Sequence, residues 1–406
     1  MKTINPIESL DLRGRRVFVR VDFNVPLSGK ADGSGFTVAD DARIRGALPT
    51  IQRVIEQGGK CILASHLGRP DGKVVKKYSL EPVGSRLSEL LGKDVILTED
   101  CMGDGPRGLV QQMRPGEVLL LENLRFHPGE EENSVEFANR LFELCEVYIS
   151  DAFGTLHRAH ASTAALPKLL PERDRGMGYL VQKELENLEP LKEAPLRPFT
   201  LVTGGSKVSD KIGMLEQFLP KVDNIVIGGA MAYAFLKAQG HQIGKSLCDD
   251  RQVTIAAKLI KGADVRGVKL YLPKDHLIAK SIDADTAQTT VGIDIPDGWM
   301  GVDIGPKTIP FYGEALASAE MIFWNGPMGV FEKPAFAQGT FEMARMIGDS
   351  NAKKLAGGGD SAAAISKAGV ESRFDFISTG GGATLEYLEG KELPGLKALE
   401  LSIRSS

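Results

Sequence analysis

Short apolar, β-branched runs that break off into polar or glycine-rich residues, each followed by a helix-like stretch, recur along this chain and constrain its fold more than any other feature. Residues 16–21 lead into Asp22 and Asn24, and 61–64 into Ser65-His66-Leu67-Gly68-Arg69-Pro70. Residues 118–121 lead into Glu122-Asn123-Leu124-Arg125, and 147–149 into Asp151-Ala152-Phe153-Gly154. The second half repeats the grammar. Residues 199–202 precede Thr203-Gly204-Gly205-Ser206-Lys207, 225–227 precede Gly228-Gly229-Ala230, and 321–324 precede Asn325-Gly326-Pro327. Residues 354–356 precede Gly357-Gly358-Gly359-Asp360, and 374–377 precede Ser378-Thr379-Gly380-Gly381-Gly382. Continuous apolar runs are the mark of parallel strands buried on both faces, and strands alternating with helices imply βαβ units. The expected fold is α/β: two doubly wound, Rossmann-like parallel-sheet domains facing a cleft and joined by a connecting helix. Ligands of such sheets sit beyond the carboxyl ends of the strands, which is where the polar residues fall.

A chain of 406 residues is long for one core. The boundary falls at about 170–198, punctuated by Pro167, Pro171, Pro190, Pro195 and Pro198. Within it, Leu180, Leu185 and Leu188 are spaced as on an amphipathic helix over 179–191. The expected domains are 1–175 and 196–390, with a connecting helix or hinge at 176–195 and a closing segment at 391–406. The polar, glycine-rich stretch 28–40 reads as a hairpin or loop.

Charge and cysteines exclude several classes. The net charge of -4, from 49 basic and 53 acidic residues, argues against a general nucleic-acid or membrane-surface role. The four cysteines, Cys61, Cys101, Cys145 and Cys248, are widely spaced without a CxxC pair. That argues against a zinc or disulfide framework and fits a reducing, cytoplasmic setting. No apolar leader is visible at the N-terminus, and no apolar run reaches the roughly 18–20 residues of a membrane helix.

The two halves carry different chemistry. Arg43, His66, Arg69, Arg125, His157 and Arg158 follow strands of the first half, with Asp22 and Asn24. Taken singly, each arginine reads as well as a solvated charge or a salt-bridge partner. As a set on separate strand ends they suit a small phosphorylated carboxylate, because guanidinium forks match both anions. The second half offers glycine runs, which let backbone N–H groups approach phosphates at helix starts. Lys207 and Lys211, four residues apart, would share one face of a helix start. Asp360 at a helix start beside phosphates suits Mg²⁺. An anion-binding half and a nucleotide-binding half together suggest phosphoryl transfer with closure over the reactants.

Three elements point elsewhere. Residues 103–108 match GxGxxG after an apolar run, which would suit a dinucleotide and a dehydrogenase. Glu99, Asp100 and Asp104 would repel a pyrophosphate there, and Pro106 lacks an N–H, so a loop and an ordinary helix fit better. Residues 240–246 resemble a P-loop, but the spacer is short and a helix-like stretch precedes it. His157-Arg158-Ala159-His160 lacks further ligands for a metal. A nucleotide-sensing protein without catalysis is the other alternative, and the presence of Lys207 and Asp360 counts against it.

Several motifs resemble one family, the phosphoglycerate kinases. Arg20-Val21-Asp22-Phe23-Asn24-Val25-Pro26, His66-Leu67-Gly68-Arg69-Pro70, Leu121-Glu122-Asn123-Leu124-Arg125-Phe126 and Asp151-Ala152-Phe153-Gly154 resemble its substrate half. Gly204-Gly205-Ser206-Lys207-Val208, Trp324-Asn325-Gly326-Pro327-Met328-Gly329-Val330-Phe331-Glu332, 357–360 and 378–382 resemble its nucleotide half. The resemblance runs in order from about residue 15 to 395. It implies reversible transfer between MgATP and the carboxylate of 3-phosphoglycerate, giving 1,3-bisphosphoglycerate and ADP, in glycolysis or gluconeogenesis, by a hinge-bending monomer. It also implies that Asp22, Asn24, Arg43, His66, Arg69, Arg125 and Arg158 bind 3-phosphoglycerate. Gly205, Lys207, Lys211, Asn325, Glu332, Gly357, Gly358, Gly359, Asp360 and Ser361 would bind nucleotide, and Asp360 the Mg²⁺. Arg43 and Lys207 would be catalytic. The closing segment would return to the N-terminal domain. Ser206 and Ser361 stand where many members carry Ala and Thr, both small changes.

Overall fold

The computed structural model describes residues 3–29 and 35–402. The tip of the polar stretch 28–40 and the last part of the closing segment, residues 403–406, lie outside the described residues. The described residues up to Glu186, together with those from Glu392 onward, form one compact unit, and Asn187–Lys391 form a second.

In the first unit the apolar runs form a six-stranded sheet among the described residues. Its spatial order is Val95–Leu97, Val118–Leu120, Lys60–Ala64, Arg16–Val21, Val147–Asp151, Arg175–Met177. Every neighbouring pair is parallel. Successive side chains of a strand point to opposite faces. Val17, Val19 and Val21 therefore pack with Ile44, Ile51 and Leu63 on one side. Phe18 packs with Ile62 and Tyr148 on the other. Truncating a fully buried ring such as Phe18 costs about 3–5 kcal/mol. The chain enters at the centre, winds to one edge, then returns to wind to the other. The reversal lies between Arg16–Val21 and Val147–Asp151, a switch point of the kind that binds ligands.

The polar stretch after the first strand makes an antiparallel hairpin, Leu27–Gly29 against Phe36–Val38. The helix Tyr179–Glu193 leaves this unit, and the division between the units falls within it. The closing segment packs on the first unit: Leu399 lies in the Phe18 cluster, Gly395 N–H donates to Leu156 O at 2.9 Å, and Leu401 N–H to Thr3 O at 3.0 Å.

The second unit repeats the plan. Its sheet order is Lys269–Tyr271, Asn224–Ile227, Phe199–Thr203, Met321–Asn325, Lys353–Ala356, Phe376–Ile377, again parallel throughout. The reversal lies between Phe199–Thr203 and Met321–Asn325. A small antiparallel sheet, Gln288–Thr289, His276–Ala279 and Met300–Ile304, was not foreseen from sequence. Its outer strand is two exposed polar residues and its pairing slips between Leu277 and Ile278, so neither a continuous apolar run nor clean alternation marks it. No helix among the described residues is long and apolar enough to cross a membrane.

The competing motifs resolve as local structure. Gly103 takes a positive φ of 97° and caps the helix Asp104–Gln112, with Asp104 in its first turn. Residues 240–246 lead out of the helix Ala232–Ala238 into an isolated bridge between Ile243 and Ile295.

Candidate active site

In the first unit the polar residues gather beyond the strand ends flanking the switch point. Asp22 follows Val21, and its carboxylate accepts from Arg43 NH1 at 2.9 Å, although Arg43 lies in the first turn of the next helix, Ala42–Glu56. Asp22 also accepts from Asn24 N–H at 3.2 Å, and Asn24 Oδ1 accepts from Gly68 N–H at 2.9 Å. Arg125 donates from NH1 to Gly68 O at 2.9 Å and lies 3.3 Å from Glu131. Its side chain is buried, and that burial, aided by the charges of Arg20 and Arg158, lowers its pKa against the opposing pull of Glu131. The structure thus links Asp22, Asn24, Arg43 and Arg125 through the loop of Gly68. Arg158 and Arg69 are exposed. Arg158 Nε contacts His157 Nε2 at 3.2 Å. Arg69 makes no hydrogen bond or ion pair among the described residues.

Beneath this pocket lies a network that reading the sequence missed. Arg20, on the strand itself, is 1% exposed. It donates to Ser162 Oγ at 2.8 Å and to the Val21 carbonyl, and its NH2 meets His66 Nδ1 at 3.3 Å. Glu130, wholly buried, accepts from both Ser162 N–H (2.9 Å) and Ser162 Oγ (2.6 Å) and lies 3.9 Å from Arg20. A guanidinium can only donate, so His66 Nδ1 accepts and the ring proton sits on Nε2. Burial first, then the charges of Arg20, Arg125, Arg43 and His160, hold the His66 pKa well below the usual histidine value. His66 is therefore a neutral donor inside a cationic pocket. His160 is held down to about 4, by burial and then by Arg125, Arg20 and Arg158. The sequence signal for Arg20 was a charged residue within residues 17–21, which are otherwise apolar.

In the second unit three strand-end loops interlock at the switch point. Gly204 N–H donates to Asn325 O at 3.2 Å, Gly229 N–H to Met328 O at 2.8 Å, and Met231 N–H to Gly205 O at 3.0 Å. Backbones pass so closely that a Cβ on Gly229, whose φ is +65°, would lie 2.5 Å from Gly205 N. Beside them opens a cavity of about 320 Å³, lined in part by Gly205, Gly229, Tyr233, Val330, Glu332 and Asp360. Asn325 accepts from Lys211 Nζ and donates to Gly357 O at 2.7 Å, and Ser361 Oγ accepts from Gly326 N–H at 2.7 Å. Gly358, with φ of 94°, caps the helix Gly359–Lys367, leaving Gly359 and Asp360 exposed at its start. Burial lowers Lys211 to about 8, opposed first by Asp360.

One detail departs from the sequence reading. Residues Val208–Lys211 form a 3₁₀ turn with Lys207 as its N-cap, ahead of the helix Ile212–Phe218. Lys207 itself is extended, with φ of -139° and ψ of 132°, so no helical face includes both lysines. Lys211 accordingly turns inward to Asn325, whereas Lys207 is exposed without a hydrogen bond or ion pair among the described residues. Residues 300–302, which also line the cavity, were missed because their place depends on the small antiparallel sheet; Tyr233, also in the lining, comes from the helix Ala232–Ala238.

An exposed carboxylate at a helix start, beside glycine loops and within reach of the charge of Lys211, fits Mg²⁺ bound with nucleotide phosphates. Two doubly wound sheets, one ending in a cationic pocket and the other in glycine-rich loops, define the class: an α/β kinase. The phosphoglycerate kinase family profile matches residues 7–391. The phosphoglycerate kinase of Anaeromyxobacter sp. (strain Fw109-5) is 52% identical over 401 residues, covering 98% of this chain and 99% of that protein. That of Pelotomaculum thermopropionicum is 51% identical over 394 residues, covering 97% and 98%. Among solved structures, the phosphoglycerate kinase from Coxiella burnetii superposes with a TM-score of 0.86 at 40% identity, covering 98% of this chain and 99% of the other. This chain belongs to the phosphoglycerate kinase family.

Proposed function

We propose that this chain carries out its family's reaction with the residues assembled above. A phosphoryl group passes between ATP and the carboxylate of 3-phosphoglycerate, giving 1,3-bisphosphoglycerate and ADP, and the reverse. The observation that carries the reading is the placement of complementary chemistry at equivalent switch points: a cationic pocket in one unit, a glycine-lined cavity with Asp360 in the other.

Asp22, Asn24, Arg43, His66, Arg69, Arg125 and Arg158 hold 3-phosphoglycerate. The arginines pair with its anionic groups, and Asp22 and Asn24 hold its hydroxyl. His66, proton on Nε2, adds a neutral hydrogen bond whose charge state does not change near neutral pH. Gly205, Gly357, Gly358 and Gly359 allow close approach of the nucleotide phosphates. Glu332, exposed at the cavity edge, takes the ribose hydroxyls, with Asn325 nearby. Lys211 and Ser361 contact the phosphates, and the depressed Lys211 pKa returns upward as they arrive. Asp360 holds Mg²⁺, which supplies neutralisation of phosphate charge.

The attacking carboxylate is already ionised at neutral pH, so the site needs no general base. Its work is positioning and charge stabilisation. Arg43 and Lys207, both exposed, are the groups that stabilise charge on the phosphoryl group in flight. Direct in-line transfer requires acceptor and donor to meet with water excluded, so closure of the two units is part of the proposal. The chain acts as a monomer in the cytoplasm, in glycolysis and its reversal. Calorimetric titration tests the division of labour. 3-Phosphoglycerate alone and MgADP alone each bind with one-to-one stoichiometry, Arg125→Met removing the first and Asp360→Asn weakening the second. Loss of both ligands with either substitution overturns it.

A further inference from the structure

We propose that Asp100, Cys101 and His127, none of them assigned to either substrate, form a binding site for a thiophilic divalent cation such as zinc. Cys101 lies in the loop after the edge strand Val95–Leu97, and His127 follows the 3₁₀ turn Leu124–Phe126. A carboxylate oxygen, the thiol sulfur and an imidazole nitrogen from these residues lie within 4.8 Å of one another, the one such group of three or more among the described residues. His127 Nε2 is 2.6 Å from Asp100 Oδ1.

This donor set selects its cation. Zinc takes mixed nitrogen, oxygen and sulfur ligands at about 2.0–2.3 Å in tetrahedral geometry, which sets neighbouring ligand atoms roughly 3.2–3.8 Å apart. The His127–Asp100 pair opens by under about 1 Å to reach that spacing, and the widest separation allowed here closes by about as much. Magnesium prefers an all-oxygen shell and has no use for the thiol. Cys101 forms a buried wall, while the side chains of Asp100 and His127 are 47% and 23% exposed, leaving an open side for a solvent ligand.

The supports are already in place. Cys101 N–H donates to Asp100 Oδ1 at 2.6 Å, and the His127 ring packs against Phe137 with centroids 5.6 Å apart. Such outer contacts fix ligand orientation. Burial pushes the Cys101 thiol well up, and the charges of Asp100 and Glu130 add to it. The free protein therefore holds a protonated thiol. On binding, the S–H bond is replaced by a sulfur–metal bond and the proton goes to solvent, with no oxidant or reductant involved.

Cobalt is the probe, because a thiolate ligand gives it a near-ultraviolet charge-transfer band. The full-length, reduced, metal-free chain titrated with Co²⁺ develops that band with tetrahedral visible absorption, saturating at one equivalent, and Zn²⁺ displaces it. Cys101→Ala abolishes the band. His127→Gln, at a partly exposed position that leaves the circular dichroism spectrum unchanged, weakens Co²⁺ at least tenfold. A chain that develops no band overturns the proposal. So does a band that survives in Cys101→Ala and disappears in Cys248→Ala, or His127→Gln binding Co²⁺ as tightly as the parent.

Discussion

Removing Lys207 separates catalysis from folding, and comparison with Lys211 sets the scale. Lys207 is exposed and has no hydrogen bond or ion pair among the described residues. Truncating such a side chain changes stability by no more than about 0.5 kcal/mol. Its proposed work is to meet charge that develops on the transferred phosphoryl group. Loss of one such donor costs about 2.7–4 kcal/mol of barrier, or roughly 10²–10³ in kcat. Lys211 is the control, since it is largely buried and donates to Asn325 Oδ1. Lys211→Ala strands that acceptor in the interior, which costs about 1–3 kcal/mol of stability. The assay pairs steady-state turnover with urea unfolding of both variants. Lys207→Ala is expected to unfold like the parent and to turn over at least a hundredfold more slowly. Lys211→Ala is expected to lose stability as well as activity. A Lys207→Ala enzyme keeping more than a tenth of parental kcat, or one destabilised as much as Lys211→Ala, removes Lys207 from the charge-stabilising role.

Further tests address the frame of each site. Gly229→Ala forces a Cβ into 2.5 Å contact with Gly205 N at a φ of +65°; nucleotide affinity measured by calorimetry falls at least tenfold, while 3-phosphoglycerate binding is retained. Arg20→Met leaves the buried Glu130 carboxylate without its cation, a loss of about 3–5 kcal/mol by urea unfolding. Adding Glu130→Gln recovers much of it, and equal destabilisation in single and double variants contradicts the pairing. Burial raises the Asp151 carboxyl to about 7, above its unfolded value of roughly 3.9. A folded pKa above the unfolded one gives stability that is full below that unfolded value and is lost as pH rises through 7. Asp151→Asn keeps an acceptor for Leu180 N–H and does not ionise. Its stability relative to the parent rises from pH 5 to pH 8, and an unchanged difference across that range rules the carboxyl out.

The doubly wound sheets were legible because the central strands are buried on both faces and so are mostly apolar, as residues 16–21 and 321–325 show, polar only at Arg16, Arg20 and Asn325. Asp22, His66 and Gly357 were legible for a related reason: a strand that stops being apolar announces its carboxyl end, and such ends carry ligands. What lies off that grammar was hidden. Glu130 and Ser162 meet Arg20 only through tertiary folding across more than a hundred residues. Gln288–Thr289 offers too few residues to show any period. Lys207 and Lys211 were assigned one face on α-helical spacing, whereas Lys207 is extended ahead of the 3₁₀ turn that holds Lys211. The Asp100–Cys101–His127 group escaped notice because its members join loops with no common spacing.

The most direct measurement of the central claim is turnover with MgATP and 3-phosphoglycerate, coupled to an added dehydrogenase whose NADH oxidation reports 1,3-bisphosphoglycerate. Turnover is expected to require ATP, Mg²⁺ and 3-phosphoglycerate together and to fall at least a hundredfold in Lys207→Ala. A folded chain that binds MgATP and 3-phosphoglycerate but produces no 1,3-bisphosphoglycerate contradicts that claim.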